Sequence, residues 1–293
     1  MGKASRRKKV IPSAQRPAPR APIPFVERPY EGLAVEKELV AMREIIPCAT
    51  MTARTTSEYG SVEFDIVTLL PEGFPAMIRA DGRILIGLQT RNNSGDLSHD
   101  AGAALVAALA AREQGAEGTV AADIREPAPR LQELVDNSGF GPMELTADYG
   151  YWFDPSAQLD ADTQRALERN REEVIPTEAV PGVEGMYWCA MNRHFVRILT
   201  DIDESRLFTA LARLQLAGRT RLGEGSRFVG AFRACGIAIP VFELGDGVTA
   251  ADIAADAKVF AQALTETVEN TDPLTHDERR VRQGLISRQV TIR

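Results

Sequence analysis

Two stretches of the chain, residues 76–110 and 230–264, repeat one arrangement of residues, and this repeat constrains the fold more than any other feature. In each stretch an Arg-Ala-X-Gly segment, Arg79–Gly82 or Arg233–Gly236, separates two apolar runs, and a run with helical spacing follows. Turn residues between two strand-like runs are typical of a β-hairpin. The sequence therefore predicts a hairpin and a closing helix twice over, which is an internal duplication.

The runs around these stretches predict an α+β fold of two internally duplicated units, each made of antiparallel hairpins with a closing helix, packed as one body. The second unit gains a helix over residues 204–216, where leucines recur at helical spacing and Gly218 ends the run. Tyr149 to Phe153 are interpreted as an aromatic strand. The predicted divisions are a disordered basic, Pro-rich tail (1–30), a first copy (31–125), a connecting segment (126–180), a second copy (181–270) and a basic C-terminal helix or tail (271–293).

Charge is unevenly distributed along the chain. The formal net charge is −7, and residues 1–20 hold seven basic residues and no acid, so the remaining residues carry −14. Six prolines lie between residues 12 and 29, and such a segment buries too little apolar surface to offset its ordering entropy. We expect residues 1 to about 28 to pack against nothing.

Basic residues at the two ends are the strongest functional signal. Flexible Lys/Arg arms bind phosphate backbones without reading sequence, so a polyanion such as RNA or the ribosome is the expected partner. A solubilising tail without a partner is the alternative. The candidate polyanion-binding residues are Arg6, Arg7, Lys8, Lys9, Arg279 and Arg280.

Composition and motifs argue against several classes of protein. A hydrophobic content of 44% is typical of a globular protein, and no apolar run reaches the ~18 residues of a membrane span. Three cysteines far apart, without C-x-x-C, argue against a disulfide framework or a zinc knuckle. Walker, dinucleotide-binding and G-x-S-x-G motifs do not occur in the sequence. We expect no cofactor, no metal and no membrane partner, and a cytoplasmic location because the basic start leads into no apolar signal region.

Polar residues that could carry chemistry have structural interpretations as well. Surface or helix-cap roles are expected for all three histidines, His99, His194 and His276. The carboxylates of residues 201, 203 and 204 could ligate a cation, but acids at a helix N-terminus also complement its dipole, and that interpretation is favoured.

Aromatic residues concentrate in two segments that hold both tryptophans. Base stacking would suit a nucleic-acid partner, while core packing is the favoured interpretation. If the two segments are neighbours, they line a cleft between the copies. The candidate cleft residues are Trp152, Trp188, Arg79 and Arg233.

Several short segments, spread over nearly the whole chain, form a specific set. They are Met1–Lys3 with Ser5-Arg6, the Pro-rich linker, Pro24-Phe25, Tyr30–Leu33, Arg43–Pro47, Val229–Ala234 with Gly236 and Pro240, Glu278–Arg280, Gly284-Leu285 and Arg288-Gln289. Together they resemble an uncharacterised actinobacterial domain family of unknown function. The resemblance implies a cytoplasmic bacterial protein and assigns no catalytic or binding residue.

Two function classes follow from the sequence. The favoured one is a non-catalytic binding or adaptor protein that holds a protein or nucleic-acid partner and is localised by its basic arm. The element order is also similar to that of secretion chaperones, which is a likeness of fold only. The alternative is an enzyme of unknown reaction with a polar site in the cleft between the two copies.

Overall fold

Seven α-helices and twelve β-strands are formed by residues 22–288, 290 and 291, the part of the chain that the computed structural model describes. The helices are α1 (Glu36–Glu44), α2 (Leu97–Glu113), α3 (Leu131–Leu134), α4 (Ala161–Glu173), α5 (Glu204–Leu216), α6 (Ala254–Val268) and α7 (His276–Ile286). The strands are β1 (Ala49–Arg54), β2 (Glu63–Val67), β3 (Ala76–Ile78), β4 (Ile84–Gly87), β5 (Gly118–Val120), β6 (Met143–Leu145), β7 (Thr177–Ala179), β8 (Met186–Ala190), β9 (His194–Ile198), β10 (Arg227–Ala234), β11 (Ile237–Glu243) and β12 (Val290–Thr291).

The strands form two six-stranded sheets, one in each half of the chain. The first has the order β5-β3-β4-β2-β1-β6 and the second the order β12-β10-β11-β9-β8-β7. The segment between the halves contributes an edge strand to each sheet, β6 to the first and β7 to the second. Helices pack on mixed and antiparallel sheets, so the α+β prediction is confirmed.

The two halves share one hydrophobic core cluster. Leu39 and Phe64 of the first half lie in it together with Tyr187, Leu199 and Ile239 of the second half. This cluster joins the halves as one body. A second cluster lies between the second sheet and helices α5 and α6. Its three phenylalanines Phe208, Phe242 and Phe260 are at most 2% exposed, and each contributes about 1.5–3 kcal/mol by burial.

The duplication is not confirmed by the sheet topology. Strand order agrees between the sheets, and Gly82 and Gly236 both lie at hairpin turns with positive φ. However, β4 runs parallel to β2, whereas β11 runs antiparallel to β9. The two hairpins therefore enter their sheets in opposite senses relative to the preceding strand pair.

The predicted aromatic strand at residues 149–153 is wrong. Residues Gly150–Trp152 form a 3₁₀ turn, closed by a hydrogen bond from Trp152 N to Tyr149 O at 3.0 Å. The physical reason is that these rings dock onto the first sheet instead of extending along it. Tyr151 and Trp152 pack against Val67 and the cluster that it forms on that sheet.

The segment before α1 is packed more tightly than its composition predicts. Val26 N donates to Gly95 O at 3.0 Å, and the Arg28 guanidinium donates two hydrogen bonds to Glu36, at 2.6 and 2.7 Å. Tyr30 is only 1% exposed. The expectation that the chain up to about residue 28 packs against nothing is therefore wrong for residues 26–28, because these specific polar contacts tie them to the body. Residues 1–21 lie outside the described part.

Candidate binding site

A cleft of about 470 Å³ lies where the second hairpin meets the first half of the chain. The β10–β11 turn forms one wall, the end of α1 another, and residues 25–29 a third. We call it the inter-half cleft, and its lining includes Arg43, Glu44, Arg233 and Cys235.

The turn that bears Cys235 has a constrained backbone. Cys235 has φ +47° and Gly236 has φ +75°, both in the left-handed region that favours glycine. A Cβ at Gly236 would lie 2.8 Å from Arg28 Cβ, so the close approach of residues 26–30 requires glycine there. Gly236 therefore serves two purposes: it allows the left-handed turn, and it leaves room for Arg28 of the N-terminal segment to pack against that turn.

Ion pairs fix the polar groups on one side of the cleft. Arg233 donates two hydrogen bonds to Glu204, at 2.8 and 2.5 Å, and a third to Glu27 at 3.2 Å. The hydrogen bonds that Arg233 donates to Glu204 raise the pKa of Arg233 above its ordinary value. Arg233 thus links α5, β10 and the N-terminal segment.

The thiol of Cys235 is held in its protonated form. Burial, and then the negative charge of Glu44, raise the pKa of Cys235 to about 12. Its Sγ lies 3.8 Å from Glu44 Oε1 and donates to it. Because the thiolate is the nucleophilic form of cysteine, this group is not activated for covalent chemistry at neutral pH.

A second cavity, of about 640 Å³, lies on the first half beside the N-terminus of α2. Tyr30, Phe74, Leu88 and Leu97 supply apolar walls, and Asp100 lines it as well. Asp100 belongs to a buried polar cluster at the start of α2 that sequence reasoning did not find.

His99, in that polar cluster, is only 4% exposed, so the expected surface role is wrong. Its Nδ1 lies 3.0 Å from Asp100 Oδ1, and its Nε2 lies 2.9 Å from Glu126 O. Both ring nitrogens are engaged within the protein. The ring therefore joins α2 to the segment that precedes α3, and neither nitrogen is open to a ligand.

The four cleft candidates from the sequence do not come together. Arg233 lines the inter-half cleft. Arg79, at the other hairpin, donates hydrogen bonds to Asp81 at 2.9 and 2.6 Å. Trp152 Nε1 donates to a backbone carbonyl of the first half at 2.8 Å. Trp188 is 7% exposed in the second core cluster. The two tryptophans pack in separate clusters, one on each sheet, so the condition for a shared cleft is not met.

The arginines of the last helix are largely occupied by contacts within the protein. Arg279 donates to the Leu274 carbonyl, and Arg280 lies 3.3 Å from Asp277. The candidates Arg6, Arg7, Lys8 and Lys9 lie outside the described residues. Asp203 caps α5 by accepting from Arg206 N at 3.1 Å, and Glu204 lies in the first turn, which confirms the helix-terminus interpretation for these two carboxylates.

Within residues 22–291, position 289 excepted, the structure contains neither a metal-binding cluster nor a membrane-spanning helix. No group of three or more His, Cys, Asp or Glu side chains there is placed to hold a metal ion. No helix in the same part of the chain has the length and apolar character needed to cross a membrane.

The fold and the cleft define an α+β protein with paired sheets and an interior junction between its halves. Comparison with known families then gives the assignment: the family described as "Family of unknown function (DUF5926)" matches residues 29–293, and the chain belongs to it. This confirms the resemblance to an uncharacterised domain family; the actinobacterial origin stays a prediction. The chain has no match among curated proteins, and none among solved structures.

Proposed function

We propose that this is a non-catalytic, cytoplasmic binding or adaptor protein whose basic arm, residues 1–20, contacts a polyanion such as RNA or the ribosome. The observation that carries the proposal is charge separation. Seven basic residues stand in the arm without an acid, and the rest of the chain carries a net charge of −14. An acidic body repels polyanions, so attraction has to come from the arm.

The contacts of the last helix favour the arm, and not this helix, as the main polyanion-binding segment. Arg280 is paired with Asp277, and Arg282 donates to Ser205 Oγ at 3.0 Å. Arg279 is held by the Leu274 carbonyl. Because their charges are offset by neighbouring acids or their donors are occupied, Arg279 and Arg280 are secondary contributors, and Arg6, Arg7, Lys8 and Lys9 are the main ones.

The cleft between the halves is the observation that favours the alternative, an enzyme with a polar site there. Two features of the cleft weigh against it. The thiol of Cys235 is protonated at neutral pH, since its pKa is raised to about 12, and Arg233 is neutralised by Glu204 and Glu27. Acid–base or nucleophilic catalysis needs a group whose pKa lies near the working pH. Binding is therefore the better-supported function.

Affinity capture from native lysate tests the proposal. The full chain, a variant lacking residues 1–20, and a variant with Arg6, Arg7, Lys8 and Lys9 replaced by Ala are each captured at low salt, with and without nuclease. We expect nucleic acid to co-purify with the full chain only, and nuclease to remove it.

A charge-matched control separates the arm from net charge. Replacing the exposed residues Arg165, Arg169, Arg219 and Arg221 by Ala removes the same four charges from the body. This control is expected to retain nucleic acid. Equal capture by the full chain and by the arm variants would reduce the arm to a solubilising tail and refute the proposal.

A further inference from the structure

Two arginines with incompletely satisfied guanidinium groups face one small pocket at the junction of the halves. Arg43 stands on the last turn of α1, and Arg197 stands on β9. Both line a pocket of about 240 Å³. The Nε atom of each is buried and has no hydrogen-bond partner among the described residues.

Arg233, another arginine at the junction, differs from these two because its guanidinium group has close carboxylate partners. Arg233 makes three hydrogen bonds to carboxylates, whereas the nearest carboxylate oxygen to Arg43 belongs to Glu44, at 3.8 Å. No side-chain hydrogen bond or ion pair links Arg197 to a described residue. A buried donor without an acceptor costs about 1–3 kcal/mol, and more when it is charged. The buried Nε atoms themselves are shielded from the pocket, but both guanidinium groups line it and neither is matched by a close carboxylate of the described residues. A ligand in the pocket can supply that carboxylate to their remaining N–H groups.

Apolar side chains stand at the rim of the same pocket. Ile175, just before β7, is 41% exposed, and Met191, just after β8, is 53% exposed. Both line the pocket with the two arginines. A ligand that reaches the guanidinium groups can therefore cover these two side chains with an aliphatic portion.

We propose that this pocket binds an aliphatic carboxylate, whose oxygens accept from Arg43 and Arg197 and whose hydrocarbon part packs on Ile175 and Met191. The planar guanidinium fork matches a carboxylate in geometry. Glu44 also lines the pocket, so two cations and one anion leave a single positive charge for the ligand. A doubly charged phosphate would meet repulsion from Glu44, which favours the monoanion.

Nuclear magnetic resonance on the full chain tests the proposal, with 4-methylpentanoate as the probe. Guanidinium Nε–H resonances are observed during titration and are assigned by single substitutions of the two arginines. Saturable shifts of both resonances are expected with 4-methylpentanoate. Its amide, 4-methylpentanamide, has the same shape without the charge and is expected to produce none; inorganic phosphate is expected to bind more weakly than 4-methylpentanoate.

Variants separate binding from folding. Arg197→Gln is expected to weaken carboxylate binding about tenfold or more, and Arg193→Gln, in the turn just before β9, is expected to leave it unchanged. Should Arg197→Gln fail to fold, Arg197→Lys keeps the charge without the fork and is expected to bind more weakly than wild type. The proposal is overturned by any of three results: 4-methylpentanoate gives no saturable shift, the amide or phosphate binds equally well, or the Arg197 variants bind like wild type.

Discussion

Replacement of Gly102 by Ala should destabilise the protein, although the same change usually stabilises a helix. Gly102 lies inside α2, where Ala is intrinsically preferred to Gly by about 1 kcal/mol. A Cβ at this position would lie 2.0 Å from Pro129 O and 3.0 Å from Pro129 C. These are backbone atoms, so no side-chain rotation relieves the overlap.

The magnitude follows from what has to move. Relief of the overlap displaces the segment before α3, which is held by Leu131 N donating to Ser98 Oγ at 3.1 Å and by Arg130 Nε lying 2.8 Å from Asp96 Oδ2. Overpacking costs about 1–3 kcal/mol and a buried hydrogen bond left unmade costs about as much. With both costs counted and the gain in helix propensity subtracted, we expect Gly102→Ala to lower the free energy of unfolding by about 1–5 kcal/mol.

Gly284 is the matched control, since it also lies within a helix, α7, and a Cβ there would meet no atom within 4 Å. Gly284→Ala should raise the free energy of unfolding by about 0.5–1 kcal/mol. Urea denaturation of the two variants and wild type measures both values, provided that the slopes agree. If Gly102→Ala is as stable as Gly284→Ala, the packing of α2 against residues 129–131 is not as described.

Three further changes have directions set by the structure. Hydrogen bonds from Arg227 and Arg193 lower the pKa of Glu243 below its ordinary 4.5. The stabilisation from the ionised Glu243 is therefore fully present above about pH 4.5 and is lost as the pH falls through the lower folded-state pKa. Replacing both arginines by Gln should make the free energy of unfolding in urea depend less on pH in that range. Because the pKa of Cys235 is raised to about 12, its alkylation should be slow at neutral pH and accelerate towards alkaline pH, and a rate like that of free cysteine at pH 7 would contradict its burial beside a carboxylate. Thr275→Ala removes a capping box at α7 and should cost about 1 kcal/mol in urea unfolding, with an unchanged value speaking against that cap.

Features set by neighbouring residues were predictable from the sequence. Helix α5 has the expected bounds, 204–216, because Leu207, Leu211 and Leu214 recur on one side and all are buried. The turn at Gly236 was predictable as well, since a left-handed position favours glycine. Local periodicity and turn chemistry determine these elements, so a single sequence is enough to find them.

Features set by distant contacts were not predictable. The sense in which each hairpin joins its sheet depends on pairing between strands that the hairpin residues do not encode. His99 is buried because Glu126, 27 residues away, supplies an acceptor for its ring. Likewise, the repeated motif identified Arg233, but not the contact beside it between Cys235 and Glu44, which are 191 residues apart in the chain.

The dependence of RNA affinity on salt tests the central claim most directly. Each phosphate contact to a single strand contributes about −0.7 to the slope of log K against log salt concentration. Affinity for a labelled single-stranded RNA is measured over a range of salt for wild type, for the variant with Ala at Arg6, Arg7, Lys8 and Lys9, and for the charge-matched body variant defined above. If the arm carries binding, loss of its four charges should make the slope shallower by up to about 3, and the body variant should keep the wild-type slope. Identical slopes for the arm variant and wild type, or binding that salt does not weaken, would contradict the account.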